Sequence, residues 1–247
     1  MTRLYPTFLL LFLLPFISFA QCPSGDVILD SQIAVEQFVT QYPDCTTIEG
    51  NLTIGRTFST SNVDNISGLS NITTVTGNLL VRGNFELTSL NGLSSLATVG
   101  GDFTLVNNVN IPTLDPLSNL TMVGGAFTIE NISDIAHLNG LTSLDSVGGF
   151  LTLEDNRDLN DLSGLDSLQH AGGISIRDNR ALEEVAGFIN VQTLGSGIFI
   201  SSNEMLERIT GFNNLTTVGG SFSIFGNDVL TEISGFSNLD LIGTDFF

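Results

Sequence analysis

The sequence predicts an all-β solenoid of stacked 24-residue coils behind an N-terminal helical cap. Three observations carry this. First, residues 147–170 read VGGFLTLEDNRDLNDLSGLDSLQH, and close variants fill 99–122, 123–146 and 218–241. Self-similarity at such a period marks units that stack because none can bury its apolar face alone. Second, stretches such as Phe103 to Leu105, Phe127 to Ile129 and Leu151 to Leu153 alternate with period 2, as half-buried strands do. Third, glycine pairs (Gly100 and Gly101, Gly124 and Gly125, Gly148 and Gly149, Gly219 and Gly220) recur just before those strands. There the chain must turn sharply, and positive φ is expected.

Residues 1–20 have the make-up of a secretory leader. Arg3 gives the positive start, residues 8–19 the apolar core, and Ser18, Phe19 and Ala20 a small-residue cleavage site. The mature chain is therefore expected to be secreted or held at the cell surface, with no membrane insertion once the leader is gone. Residues 21–47 form the cap. The two cysteines, Cys22 and Cys45, both precede the repeats. In an oxidising compartment they are expected to form one disulfide. Between them lies the single helical pattern, with Ser31 as N-cap, Pro43 as stop, and Ile33, Val35, Phe38, Val39 and Tyr42 on one face. A helix tied there would cover the open end of the stack.

The repeats occupy 48–247. Segments start at Val75, Val99, Val123, Val147, Leu194 and Val218; segment 171–193 is one residue short, and 48–74 is three residues long. A second glycine (Gly68, Gly92, Gly140, Gly164, Gly187, Gly211, Gly235) marks another corner, and Pro116 replaces it once. Leu93, Leu117, Leu141, Leu165, Phe188, Phe212 and Phe236 share one core position. Each such side chain contributes roughly 1.5–3 kcal/mol when fully buried. Leucine gives way to phenylalanine there in the late coils, which predicts a wider interior. Asn84, Asn108, Asn156, Asn179, Asn203 and Asn227 recur after the first strand, where an amide can satisfy turn groups that no ladder reaches. Ile132 breaks that series, with Asn131 beside it. Residues 242–247 match the start of another repeat. The sequence is thus expected to be a fragment or interrupted frame, with an association-prone edge near Phe246 and Phe247.

The cap leading into Thr47 to Ile54, followed by L-x-x-[VI]-x-G-x-[FL]-x-[IL]-x-x-N-x-x-L repeats, resembles the receptor L domain family over residues 22–247. The resemblance implies a short right-handed β-helix related to leucine-rich repeats. In that family this fold forms ligand-binding lobes of growth-factor and insulin-type receptors. Similar repeats occur in fungal GPI-anchored wall proteins and in secreted bacterial surface proteins; the regular glycine pairs look more like the bacterial type. The sequence carries no furin-like Cys-rich module, membrane span or kinase, so receptor signalling is not implied.

The chain has 26 acidic residues against seven basic ones, a net charge of −19, and no lysine. Such a surface repels nucleic acid and anionic lipid, which excludes both as partners. Glu154, Asp155, Asp158 and Asp161, with Asp178, Glu183 and Glu184 one coil later, are the densest acidic group. They offer a weak case for calcium, but there is no EF-hand loop, and no cofactor is expected. His137 and His170 occupy different repeat positions, and no nucleophile elbow or phosphate loop is present. Arg157, Arg177, Arg180 and Arg208 are expected to pair with nearby acids rather than act as bases. No catalytic residue is therefore assigned. Six N-x-[ST] sequons start at Asn51, Asn65, Asn71, Asn119, Asn131 and Asn214.

The outward strand position runs Thr53, Leu80, Thr104, Thr128, Thr152, Ser175, Phe199, Ser223. It predicts an exposed face, with Thr104, Thr128, Thr152, Phe199 and Phe225 as candidate ligand contacts. The expected function is a non-catalytic binding or adhesion module for a protein or glycan. A structural part of an envelope or matrix is the rival, and a polysaccharide-active β-helix enzyme is a third alternative.

Overall fold

The computed structural model describes residues 22–56 and 60–244. The expected leader at 1–20 and the edge at Phe246 and Phe247 lie outside the described residues.

One long parallel sheet organises the molecule. Its rungs are Val27–Leu29, Leu52–Gly55, Leu79–Arg82, Phe103–Val106, Phe127–Glu130, Ser146–Glu154, His170–Arg177, Ile198–Ser201 and Phe222–Phe225. Each rung pairs with the corresponding strand one coil on. Phe103 faces Phe127, and Phe127 faces Leu151, a step of 24 residues each time. Alternation along each rung sends one side chain into the stack and the next to the surface. Leu79, Val81, Phe103, Leu105, Phe127, Ile129, Leu151 and Leu153 are all fully buried. Short strands Thr74–Val75, Thr98–Val99 and Met122–Val123 pair just before the glycine corner. In Ser146–Glu154 and His170–Arg177 the two strands merge through that corner.

The glycine pairs turn out to serve a different purpose from the one expected. None of Gly100, Gly101, Gly124, Gly125, Gly148, Gly149, Gly219 or Gly220 has positive φ. A Cβ at Gly100 would collide with the Thr76 carbonyl oxygen, one at Gly124 with that of Gly100, and one at Gly148 with that of Gly124. These positions are glycine because successive coils approach backbone to backbone. The left-handed residues lie after the rung instead: Gly83, Asn107, Asn131, Asp155, Asp178, Ser202 and Gly226, with φ between 50° and 65°. All but Ser202 are of the types that tolerate this region.

The far side changes along the stack. Early coils carry 3-10 turns at Ser67–Leu69, Asn91–Leu93, Asp115–Leu117, Asn139–Leu141 and Ser163–Leu165. Pro116 fits the third of these, where its fixed φ suits a turn. Later coils use a three-stranded parallel sheet, Glu184–Val185, Arg208–Ile209 and Glu232–Ile233. The phenylalanines move as well. Phe103 and Phe127 stack from the rung position with centroids 4.8 Å apart. Phe188, Phe212 and Phe236 stack at the opposite corner, 4.9 Å apart at each step. The coils holding Phe188 and Phe212 have Ile174 and Ile198 on their rungs, so volume is exchanged between two positions there, whereas the coil holding Phe236 also has Phe222 on its rung, the two rings meeting edge-on at 4.8 Å. In the last described coil Phe236 and Leu239 are partly buried, whereas Val229, Ile233 and Leu241 are exposed.

At the N-terminal end Cys22 and Cys45 are disulfide-bonded. The helix spans Gln32–Gln41, and the Ala34 N–H donates to Ser31 Oγ at its start. Val35 and Phe38 are buried, and Val39 and Tyr42 pack partly against the core. Ile33, expected on the same face, is 62% exposed. It does not share the i, i+3, i+4, i+7 spacing of Val35, Phe38, Val39 and Tyr42. The segment 21–47 also holds something unexpected. Val27–Leu29 joins the long sheet as a rung, with Val27 opposite Leu52 and Leu29 opposite Ile54.

Candidate functional site

The outer face of the long sheet presents three parallel columns of side chains. The middle one is Ile28, Thr53, Leu80, Thr104, Thr128, Thr152, Ser175, Phe199 and Ser223, joined rung to rung without a slip. Thr104, Thr128 and Thr152 are neighbours on three successive rungs, each half-buried. Phe199 belongs to this column. Phe225 does not: it pairs with Ser201 in the next column along, and is 59% exposed.

The first column begins as a hydrogen-bonded ladder. The Asn51 N–H donates to Asp26 Oδ1 (2.8 Å), the Asn78 N–H to Asn51 Oδ1 (2.7 Å), the Asp102 N–H to Asn78 Oδ1 (2.7 Å), and the Ala126 N–H to Asp102 Oδ1 (2.8 Å). At Ala126 no side-chain oxygen remains, and the ladder stops. Phe150 follows, then Gly173. Val147 pairs with Ala171 at a separation of 24, but Phe150 pairs with Gly173 at 23, so the short coil loses its residue at this corner. A Cβ on Gly173 would enter the Phe150 ring, and one on Gly197 would meet the Ser221 carbonyl oxygen first and then the Phe199 ring at 2.9 Å. The two glycines leave floor space that the rings occupy. Phe150 and Phe199 meet there with centroids 6.0 Å apart, tilted by 36°.

The third column carries charge: Arg82, Val106, Glu130, Glu154, Arg177, Ser201 and Phe225. Arg177 bonds Glu154 at 2.6 Å. Glu130 lies beside Glu154. Burial first, and then the Glu154 charge, hold its carboxyl above the usual range, with Arg177 and Arg82 opposing.

Beneath this face lies a buried amide ladder. Asn156 accepts from the Ile132 N–H at 3.1 Å, Asn179 from the Asn156 N–H at 3.1 Å, Asn203 from the Asn179 N–H at 3.1 Å, and Asn227 from the Asn203 N–H at 2.9 Å. The side-chain amides donate back to rung carbonyls, as Asn179 does to Leu153 at 2.9 Å. Most sequon amides have similar work. Asn71 donates to the Pro43 carbonyl, Asn119 to that of Ser94, Asn214 to that of Ile189, and Asn131 to Asn107 Oδ1, at 2.7–2.8 Å.

The other candidates do not converge. Glu154 is taken by Arg177, Asp161 caps Ser163, and Glu184 is held by Arg208 and Thr210. Those bonds to Thr210 and Arg208 keep the Glu184 carboxyl below its usual range. Among the described residues no three His, Cys, Asp or Glu side chains are grouped to hold a metal ion. Arg177, Arg180 and Arg208 pair with acids, whereas Arg157 forms no ion pair among the described residues. His137 bridges to Asp161 through the backbone, and His170 lies at the start of its own rung.

With this face in view, one family comparison is informative. Residues 44–115 match the Receptor L domain family. No curated protein matches the chain. The matched segment contains Cys45 and the rungs Leu52–Gly55, Leu79–Arg82 and Phe103–Val106, so Thr104 lies inside it. Thr128, Thr152, Phe199 and Phe225 lie on later rungs of the same sheet. Among the described residues no helix is long and apolar enough to cross a membrane.

Phe150 and Glu130 were not singled out from sequence as contacts. Phe150 stands in a column that varies from rung to rung, through Asn78, Asp102, Ala126 and Phe150. The signal that finds it is the run of glycine at the same column on the next two rungs, Gly173 and Gly197.

Proposed function

We propose that the chain is a secreted or cell-surface ligand-binding module, without catalytic activity or metal cofactor, that engages a protein through the outer face of its long sheet. The observation that carries this is the slip-free alignment of Thr104, Thr128 and Thr152 beside the Phe150 and Phe199 rings. A broad face held by backbone ladders costs little entropy to present to a partner. The Receptor L domain match supports it, because that family consists of binding modules. The disulfide fits an oxidising compartment, and the resemblance of the glycine-pair repeats to those of bacterial surface proteins is in keeping with adhesion.

The test is a binding screen of the exported chain on arrays of extracellular proteins and glycans, run beside two variants. A Thr128→Tyr/Thr152→Tyr double variant fills the face. Thr142→Tyr places the same ring at an exposed 3-10 corner. Saturable binding lost in the first and kept in the second is expected. Binding that survives the filled face would sink the assignment.

A further inference from the structure

In the third column, Glu130 is the acid without a cation of its own among the described residues. Glu154 has Arg177 at 2.6 Å, while no arginine or histidine comes within ion-pair distance of Glu130 among the described residues. It is half-buried, flanked on its rung by Thr128 and on the next by Glu154. Strands about 4.8 Å apart rising about 3.3 Å per residue put Phe150 roughly 14 Å away across the face. An extended segment of four or five residues spans that distance at about 3.3 Å each. Between the two ends lie the Thr128 and Thr152 hydroxyls; beyond Phe150 lie Ser175 and Phe199. Beside the paired Glu154, such a face offers a half-buried carboxylate with no cation of its own, a hydroxyl strip and an apolar shelf.

We propose that this face docks a basic protein segment, one arginine or lysine reaching Glu130 while neighbouring apolar side chains lie on Phe150 and Phe199. This rests on the sheet-face assignment above and names the partner's chemistry. Charge complementarity selects the occupant. The chain carries −19 with no lysine, so a cationic partner is drawn in at long range and an acidic one is repelled. A neutral glycan would donate hydroxyl hydrogens to Glu130 but leave its charge uncompensated, and an acidic polysaccharide would be repelled by the same field. Burial and the Glu154 charge make the lone carboxylate costly, and a partner cation would relieve both.

The experiment uses fluorescein-labelled decapeptides and fluorescence anisotropy at about physiological salt. The probes are alternating Arg-Leu, alternating Arg-Ser and alternating Glu-Leu peptides, with a neutral glycan array run in parallel. The Arg-Leu probe is expected to bind tightest and the Glu-Leu probe not at all. Glu130→Gln should weaken the Arg-Leu probe about tenfold. It removes a like charge beside Glu154, so it is expected to fold. Phe150→Ser/Phe199→Ser should weaken the Arg-Leu probe but not the Arg-Ser probe. Glu36→Gln removes the same charge from the helix and should change affinity less than about twofold. Failure of the Arg-Leu probe to bind overturns the proposal. So does an equal loss in Glu130→Gln and Glu36→Gln, which would mean bulk attraction only. Glycan binding lost in Thr128→Tyr/Thr152→Tyr yet unchanged in Glu130→Gln would overturn the basic-segment proposal while keeping a ligand on this face.

Discussion

Two ladders of Asn and Asp side chains run through this molecule, and they differ in how strictly they are kept. In the ladder that ends at Asn227, Asn84, Asn108, Asn156, Asn179 and Asn203 are fully buried and Asn227 partly so. The ladder of Asp26, Asn51, Asn78 and Asp102 lies at the sheet surface. In both, a side-chain oxygen accepts the backbone N–H of an adjacent coil. They point opposite ways: Asn179 accepts from the coil before it, and Asn51 from the coil after it. The buried ladder is interrupted only at Ile132, where Asn131 bonds Asn107 Oδ1 at 2.7 Å from one residue earlier. The surface ladder is abandoned at Ala126 for the rest of the stack. Water can satisfy a surface N–H and cannot reach a buried one. Where water releases the column, the sequence is free to place Phe150 and two glycines, and the Phe150 and Phe199 rings meet there.

The sharpest way to break this comparison is Asn179→Leu. The change removes the acceptor for the Asn156 N–H and side-chain amide, and the donor to the Leu153 and Arg177 carbonyls. Each buried group left alone costs about 1–3 kcal/mol. A net loss of at least about 3 kcal/mol in urea unfolding is expected, with the dropped rung exchanging its amides faster. A loss below about 1 kcal/mol would mean that the ladder is not needed.

The division between ladders also explains what the sequence showed and what it hid. The coils, the core leucines and the buried asparagines were legible because burial forces the same choice in every coil. The helix was legible from Val35, Phe38, Val39 and Tyr42, whereas Ile33 was misplaced because an apolar residue near a helix start need not be buried. The glycine pairs were found, but for the wrong reason. Close approach between coils is a three-dimensional contact, and the local sequence of a sharp turn looks the same. The rung Val27–Leu29 was missed because three residues carry too little alternation to separate them from a loop. Phe150 and Glu130 were missed because surface positions vary, and no single coil shows that two rings share the floor left by Gly173 and Gly197.

A smaller effect tests the left-handed position that precedes each buried asparagine. Ser202 has φ 57°, where its counterparts are Gly, Asn or Asp. A left-handed conformation costs an ordinary residue roughly 1–2 kcal/mol, and glycine avoids most of that while giving up some unfolded-state entropy. Ser202→Gly should therefore stabilise the chain by about 0.5–1 kcal/mol. Destabilisation on thermal melting would show that its side chain has a use beyond the turn.

In the surface ladder, Asn78→Ala should be milder than any change in the buried one. Asn78 is exposed, and the Asp102 N–H that it serves can turn to water. A loss of about 0.5 kcal/mol is expected by urea unfolding. A cost equal to that of Asn179→Leu would erase the difference between the two ladders.

The smallest effect concerns Asp26, the first member of the surface ladder. The Asn51 backbone N–H at 2.8 Å holds its carboxyl below the usual range, the Asn51 side-chain amide adds to this, and burial opposes it weakly. Both donors prefer the carboxylate to the acid. With the folded pKa depressed, the contribution to stability is present above the unfolded pKa and is lost as pH falls through the folded one. Its window is therefore acidic and lies below the ordinary aspartate value of about 3.9. The group is fully solvent-exposed, so the effect belongs to a local probe rather than to global unfolding. Following the Asn51 amide proton by NMR during an acid titration should show a midpoint below about 3.9. Asp26→Asn should abolish that transition without changing the long sheet. A midpoint at or above the ordinary value would mean that water competes away even the first rung of the surface ladder. The column would then hold its place through backbone pairing alone.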